Sequence, residues 1–595
     1  MKKQQEAKQT RGIFGWVLFA LVSLLFLAFL ELNKQTLLGW ALALLAIARY
    51  IFLRSKLLKA GKKGLRVLSF CGLLICFAVI GWVSWPPVQR VPAVKGAKGV
   101  TDVVHVAQGD LTGVYTPDGA VEVYTGIPYA QPPVGDLRWK EPQPALPWDG
   151  VLKADHFAPM GMQTVNLPVY NSLAQIIGYH DYEISLDDNY RPPVSEDSLY
   201  LNIWKPAGSG ENLPVLVYIH GGSLQTGQPW YADYRGEGLA RQGVVAVNLG
   251  YRLGIFGFFA DEELAAESPN GTTGNYGLLD QIAALQWVRD NIAAFGGDPD
   301  NVTLAGESAG SACVSALCTS PLAKGLFRRV LAESSTVTAP DPTHSYRTMD
   351  QALKDGAATK SAFGAKDIAA LRALPAEKIV GELNRHHHMT VDGYVLPEAP
   401  SDAYKNGHFN EEAQLQGFNR EESAPFILFG QANLKNYETM VRRMFGGIAD
   451  EVLALYPAST DAEAKQNWAD LYTVYYFTYG HHCWALQAEA NGIPSYEYHF
   501  TKANGRLGSW HSGEEVYFYG NIPEASALYD EKDRALSRTI TQYVLNFMKT
   551  GDPNGDGLPQ WETAGKDARL MELGDTVGMT DTPYQALYAV MDAAN

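Results

Sequence analysis

The chain has 595 residues, a formal net charge of −16, 46% hydrophobic residues and five cysteines. That length exceeds one small core, so a large domain with an accessory segment is expected. Residues 1–66 hold twelve Lys/Arg against Glu6 and Glu31, a net +10, which leaves −26 for the remainder; so acidic a body would repel a phosphate backbone and excludes nucleic acid as a partner.

Three apolar stretches open the chain. Residues 12–30 carry no charge and are about long enough to cross a bilayer at 1.5 Å per residue. Residues 36–53 form a second run, interrupted only by Arg49, whose long side chain can reach the interface. Residues 67–85 form a third, ending in Trp82 and Trp85 as interfacial anchors. A cleaved signal peptide has one shorter apolar core, and fits poorly. Lys2, Lys3, Lys8 and Arg11 precede the first run, and Arg54, Lys56, Lys59, Lys62, Lys63 and Arg66 crowd the second connection. The first connection holds only Glu31 and Lys34. The positive-inside rule then makes the N-terminus cytoplasmic, and three crossings put everything after Trp85 outside the cytoplasm. The expected organisation is a membrane segment at 1–85, a linker at 86–100 begun by the helix-breaking Pro86-Pro87, and a domain at 101–595.

From Asp102 onward, apolar β-branched runs alternate with helical patterns. Residues 213–220 (LPVLVYIH), 244–249 (VVAVNL) and 302–305 read as strands, and residues 277–294 as a helix. The alternation predicts an α/β fold with a largely parallel sheet. Cys313, Cys318 and Cys483, like Cys71 and Cys76, lack metal-ligand or disulfide spacing and read as buried apolar thiols. His386, His387 and His388 are adjacent along one segment, where imidazoles do not converge on one ion. His481 and His482 fall in an aromatic-rich helix and read as packing or surface residues.

The segment 301–316 reads NVTLAGESAGSACVSA: a short strand, a turn and a small-residue helix around Gly306-Glu307-Ser308-Ala309-Gly310. That is the setting of a nucleophile elbow, whose tight turn needs small residues two positions either side of the serine. Glu307 is either a group that tunes the site or a solvated turn residue. Upstream, Tyr218-Ile219-His220-Gly221-Gly222-Ser223 ends another strand on a glycine pair. The N–H groups of Gly221, Gly222 and Ala309 are therefore candidate oxyanion donors.

With those motifs the sequence resembles the type-B carboxylesterase/cholinesterase family of the α/β-hydrolases, from about residue 101 to the C-terminus. The resemblance rests on residues 126–139 (GIPYAQPPVGDLRW), 195–204 (SEDSLYLNIW), HGGS, 250–258 (GYRLGIFGF), 274–280 (GNYGLLD), GESAG and 551–561 (GDPNGDGLPQW). It implies an α/β-hydrolase fold, a central mostly parallel sheet flanked by helices, here preceded by three transmembrane helices. It also implies a serine carboxylesterase working through an acyl-enzyme on a small-molecule ester, without metal or organic cofactor. The family's acid follows a D-G-x-x-x-P stretch, here residues 392–397 (DGYVLP), and aligns with Glu422 in 416–423 (QGFNREES). The family glycine after it is Ser423, which keeps Glu421 as an alternative. The histidine motif at 508–520 (GSWHSGEEVYFYG) makes His511 the base. Two structural ion pairs are implied, Arg138 with Glu196 and Arg252 with Asp280.

The chain departs from the family at its usual disulfide. One half-cystine would fall at Ser198 and the other near Gly161, so the intervening loop is not cross-linked. That loop holds tyrosines but no tryptophan, which removes the cation–π partner of a choline ester. Two rival readings share the fold: an inactive adhesion protein of the neuroligin kind, and an acyltransferase using the same triad. The first would have lost its nucleophile, whereas serine, acid, histidine and both glycines are present here. Oligomeric state is not legible.

Overall fold

In the N-terminal region, uninterrupted apolar residues with good helix formers on either side build three long helices, α1 (Lys2–Leu32), α2 (Leu37–Lys59) and α3 (Lys63–Val83). Structure is described by a computed structural model for all residues except 1, 89–90, 166, 178–192, 209, 341–345, 381–386, 429, 504, 525, 527 and 568. The chain separates into two compact units, Met1–Arg90 with Val165–Pro193, and Val91–Thr164 with Val194–Asn595.

In the first unit, Ile13–Leu32, Leu37–Leu57 and Lys63–Val83 are each long and apolar enough to cross a membrane. The third helix stops at Val83, short of Trp85, because Pro86-Pro87 cannot continue it. A small core of Phe19, Tyr50, Leu73, Phe77 and Ile80 joins the helices, while Leu24, Leu25, Leu45 and Ile75 face outward and stay largely exposed. Apolar residues on every face are the pattern of a helix whose solvent is itself apolar. Cys71 and Cys76 are exposed on α3, not buried as expected, because they too lie on this outward surface. Arg54 is buried, its guanidinium bonded to Tyr50 Oη at 2.7 Å and lying over the Trp16 ring at 5.0 Å. A fourth helix, α4 (Pro168–Ile177), belongs to this unit although nothing in its sequence assigns it there.

The second unit is built on a 12-stranded sheet. In chain order its strands are β1 (Lys98–Val100), β2 (Val114–Tyr115), β3 (Val121–Pro128), β4 (Tyr200–Pro206), β5 (Leu213–Ile219), β6 (Val245–Leu249), β7 (Gly297–Glu307), β8 (Arg329–Glu333), β9 (Ala413–Asn419), β10 (Ser495–Phe500), β11 (Arg569–Leu573) and β12 (Val577–Asp581). Across the sheet they run β1-β2-β3-β4-β6-β5-β7-β8-β9-β10-β11-β12. Every pairing from β6 to β11 is parallel, and antiparallel strands close both edges. Near-continuous burial along β5 and β6 explains why those strands read as largely apolar runs: helices cover both faces. The chain is thus α/β with a mostly parallel sheet, as its alternating pattern predicts. The strand read at 302–305 begins earlier, at Gly297, because Leu213 on β5 still pairs there.

Both implied ion pairs form. Arg138 grips Glu196 through Nε and Nη2 at 2.6 and 2.5 Å. Arg252 grips Asp280, in helix α5 (Tyr276–Asn291), through Nε and Nη2 at 2.8 and 2.7 Å. Both are bidentate, the geometry in which Arg and carboxylate bind best, and the second is fully buried while Glu196 of the first is partly exposed.

The two sites of the missing disulfide also meet. A Cβ added to Gly161 would lie 3.6 Å from Ser198 Oγ and 3.2 Å from Tyr251 O. The double variant Gly161→Cys/Ser198→Cys is expected to oxidise spontaneously and to stabilise the hydrolase unit by about 2–4 kcal/mol, less any strain against Tyr251. Thermal midpoints with and without reductant test this; two thiols that remain titratable under oxidising conditions would refute it.

Candidate active site

Four strand ends deliver the site, all at the carboxyl edge of the parallel sheet. That edge is where loops of an open α/β sheet are free to converge. Ser308 follows β7 directly and starts helix α6 (Ala309–Cys318) with φ +55° and ψ −125°. A serine in that region is strained. Its N–H donates to Glu333 O at 2.8 Å, and its carbonyl accepts from Ala312 N at 2.9 Å, which hold it there. The turn is so tight that a Cβ on Gly310 would come within 2.0 Å of Ile219 O, and one on Gly306 within 2.6 Å of Gly310 C.

Gly221 and Gly222 follow β5. A Cβ on Gly221 would lie 3.0 Å from Ser308 Cβ, so this backbone runs directly beside the serine. Gly222 takes φ +106°, with no room for a side chain against Thr226 O. Among the described residues neither glycine N–H donates a hydrogen bond. Ala309 N, at the first position of α6, has no acceptor within its helix. His220 steadies the segment: Nδ1 bonds Gly221 O at 2.9 Å, and its ring stacks on Tyr251 at 4.6 Å. Burial pushes His220 down to about 4, so the imidazole is neutral.

His511 lies on the loop after β10, and Glu422 on the loop after β9. Glu422 is fully buried; Oε2 meets His511 Nδ1 at 2.6 Å, and Oε1 accepts from Asn419 N at 2.7 Å. Glu421 points elsewhere, its Oε2 accepting from Ser509 N at 2.8 Å and from Ser509 Oγ at 2.5 Å. With Glu421 N donating to Ser509 O at 3.1 Å and Asn419 Nδ2 to Trp510 O at 2.8 Å, it stitches the two loops together. Phe477 and Phe426 pack on the His511 ring at 4.7 and 5.1 Å. Phe477 sits in a π-helical turn, Val474–Thr478, a distortion common where a helix must aim a side chain into a site.

Glu307 is buried, not solvated, and its Oε1 lies 3.2 Å from His511 Nε2 while accepting from Ser512 Oγ at 2.7 Å. Ser308 Oγ makes no hydrogen bond among the described residues, so Nε2 faces Glu307 in this resting geometry. Catalytic hydrogen bonds often tighten only when substrate binds.

Sequence reading missed a shell of buried carboxylates around this constellation. Glu514 accepts from Ser334 Oγ at 2.7 Å and from Asn419 Nδ2. Glu333 accepts from Tyr519 Oη at 2.6 Å, and Glu515 from Tyr218 Oη. Burial, then the neighbouring Glu514, drives Glu307 and Glu333 well above the usual carboxylate range. Burial, then Glu307, does the same to Glu515. Burial and Glu422 raise Glu514 to about 7, and burial alone raises Glu497 on β10 to about 8. Each is protonated in the fold at a pH where the unfolded chain has ionised. Their contribution to stability is complete below the unfolded value of 4.5 and is lost as pH rises through the folded values. The thermal midpoint should therefore fall between about pH 5 and 8, and Glu333→Gln should flatten that slope by up to about 1.4 kcal/mol per pH unit. Midpoints measured across that window decide it; a midpoint that rises through it would show these carboxylates to be ionised.

No group of three or more metal-ligating side chains occurs among the described residues. His386 lies outside them, and His387 packs edge-on against Phe259. His481 bonds Gln416 Oε1 at 2.9 Å, and His482 stacks on Tyr588 at 4.4 Å, both serving the core. Cys313, Cys318 and Cys483 are buried thiols.

The sequence profile described as the carboxylesterase family matches residues 100–591. Fumonisin B1 esterase of Sphingopyxis macrogoltabida is 31% identical over 525 residues, covering 84% of this chain and 92% of that protein. Carboxylesterase 1C of Rattus norvegicus is 32% identical over 512 residues, 80% of this chain and 90% of its own. The medium-chain fatty acyl-CoA hydrolase precursor of Anas platyrhynchos is 32% identical over 519 residues, 80% and 89% respectively.

Proposed function

Because the chain belongs to the carboxylesterase family and is a carboxylic ester hydrolase, we propose that it cleaves esters through an acyl-enzyme formed on Ser308, with His511 as base and Glu422 as its partner. The observation that carries this is the 2.6 Å contact between His511 Nδ1 and the fully buried Glu422, beside the strained Ser308. In that reading Glu422 holds the tautomer whose Nε2 is free to take the Ser308 proton. Ser308 Oγ then adds to the ester carbonyl, and the N–H groups of Gly221, Gly222 and Ala309 receive the oxyanion. Each such donor is commonly worth about 2.7–4 kcal/mol in the transition state. Collapse expels the alcohol with the proton carried by His511, and water, deprotonated by the same imidazole, releases the acid. Glu307, neutral and 3.2 Å from Nε2, competes with Ser308 for that nitrogen until substrate draws the ring across.

We further propose that α1, α2 and α3 span a bilayer with the N-terminus cytoplasmic and the hydrolase unit outside. Supporting this, α4, which follows the three spans in the chain, bonds the Leu32 end of α1, the end away from Lys2, Lys3, Lys8 and Arg11.

The test is hydrolysis of p-nitrophenyl esters graded from acetyl to long acyl by the full chain in detergent, alongside labelling by a fluorophosphonate. Turnover with the label mapped to Ser308 is expected, and the chain preference outlines the acyl pocket. Turnover with the label elsewhere would reject the mechanism. Ester products formed with added alcohols would reassign the enzyme as an acyltransferase.

A further inference from the structure

The segment Val165–Pro193 leaves the hydrolase unit in sequence, after Thr164, and returns to it at Val194, yet it groups with the N-terminal helices. Its helix α4 is attached to the end of α1. Ser172 Oγ donates to Leu32 O at 2.8 Å, satisfying one of the carbonyls that a helix C-terminus leaves open. Val169 N donates to Asn33 Oδ1 at 3.4 Å. Among the described side chains of α4, Pro168 and Ser172, four apart and on one face, are buried. Tyr170 and Leu173, three apart, are turned away from that contact and are 59% and 48% exposed, and Ile176, one turn beyond Ser172 and past the end of α1, is 52% exposed. Leu167, just before the helix, is 43% exposed and adds to that surface. The helix carries no charge.

The level at which α4 attaches is fixed by its neighbours. Thr36 N and Ser84 O meet at 3.1 Å, and Ser84 Oγ bonds Gln35 Oε1 at 2.8 Å, so the α1–α2 turn and the end of α3 share one edge of the helical unit. Trp82, 78% exposed, and Trp85 stand at that same edge. Tryptophans at the ends of apolar spans, Trp82 exposed and Trp85 partly so, mark the headgroup region of a bilayer. A helix that exposes Tyr, Leu and Ile at that depth carries the apolar surface of an interfacial helix, with Asn171, Ser172 and Gln175 as its polar residues. In water the same surface would be an aggregation hazard.

From this we infer that α4 is an interfacial helix that lies on the outer leaflet with Tyr170, Leu173 and Ile176 in the acyl–headgroup boundary. The occupant of the exposed face is phospholipid, because the face is continuous with the edge of the three spans. The inference rests on the proposed membrane reading of α1–α3. A part of the chain that is an insertion of the hydrolase is thereby held at the bilayer, in addition to the linker after α3.

The test uses the full chain with Cys71→Ser and Cys76→Ser, leaving only buried thiols. Single cysteines at Tyr170→Cys, Leu173→Cys and Ile176→Cys are labelled with an environment-sensitive fluorophore and reconstituted into phosphatidylcholine vesicles, with and without acyl-brominated phosphatidylcholine. Leu24→Cys on α1 is the span control, and Asp556→Cys in an exposed turn of the hydrolase unit is the aqueous control. Blue-shifted emission quenched by brominated lipid at all three α4 positions, as at Leu24→Cys and unlike Asp556→Cys, is the expected result. Labels on α4 as solvated as Asp556→Cys, with Leu24→Cys quenched, would overturn the inference and leave the spans intact. Blue-shifted but unquenched labels on α4 would assign the face to a second copy of the chain and overturn it equally. An unquenched Leu24→Cys would bring down the membrane reading itself, and this inference with it.

Discussion

Ser308→Ala is expected to lower kcat on p-nitrophenyl esters by about 10⁴–10⁶-fold while leaving the thermal midpoint nearly unchanged. The second half of that expectation follows from the backbone. At φ +55° and ψ −125° an alanine carries the same steric penalty as serine, and the bonds to Glu333 O and Ala312 N are main-chain and survive. Ser308→Gly is the informative companion. Glycine occupies that conformation without a Cβ clash, so it should be equally inactive yet more stable than wild type by about 1–3 kcal/mol, the usual size of such strain. Steady-state kinetics and calorimetry on the pair separate chemistry from folding. Residual turnover within tenfold of wild type in either variant would mean that another nucleophile does the work. A serine held in a costly conformation that the fold must oppose is the physical signature of a site selected for reactivity instead of stability.

The parts of this arrangement that could be read from sequence are those whose physics is local. β5 and β6 are almost wholly apolar, Asn248 being the exception, because both faces are covered, and such runs are visible without a partner. The elbow is visible because the close approach of Gly310 to Ile219 O tolerates no side chain, so the turn writes its geometry into residue type. Glu422 and Glu421 are another matter. Both are acids on one loop, and only the bonds of Ser509 to Glu421, two residues before His511, decide which of them turns inward. The shell of Glu333, Glu514 and Glu515 was illegible for the same reason, whereas Glu307 was legible as a candidate because it sits in the elbow itself. A glutamate on a strand end or a short helix looks solvated until distant Tyr519, Tyr218 and Ser334 arrive to bond it. The attachment of α4 to α1 depends on one hydroxyl, Ser172, meeting one open carbonyl 140 residues away, and no periodicity announces that.

That pair of adjacent acids yields the most discriminating expectation. Glu422→Gln keeps the volume and the bond from Asn419 N, but it can present its amide N–H to His511 Nδ1 at 2.6 Å. Nδ1 must then accept, the ring proton moves to Nε2, and the imidazole can no longer take a proton from Ser308. A loss of about 10⁴-fold in kcat is expected, with KM little changed, as for the equivalent amide substitution in serine proteases. Glu421→Gln leaves that tautomer alone. It weakens the charge-assisted bonds from Ser509 N and Oγ, which tie the acid loop to the base loop, at a cost of about 1–3 kcal/mol in stability. Its kcat should stay within about tenfold of wild type, since the loops remain joined by Asn419 to Trp510 and by Glu421 N to Ser509 O. Kinetics and thermal midpoints on the two variants should thus separate in opposite directions, one inactive and stable, the other active and weakened. The reverse pattern would make Glu421 the acid and require the β9 loop to rearrange before catalysis. The ordering matters beyond assignment: burial and neighbouring carboxylates hold Glu307 and Glu514 above the usual carboxylate range, and in their protonated form they leave the imidazolium of His511 to the fully buried Glu422.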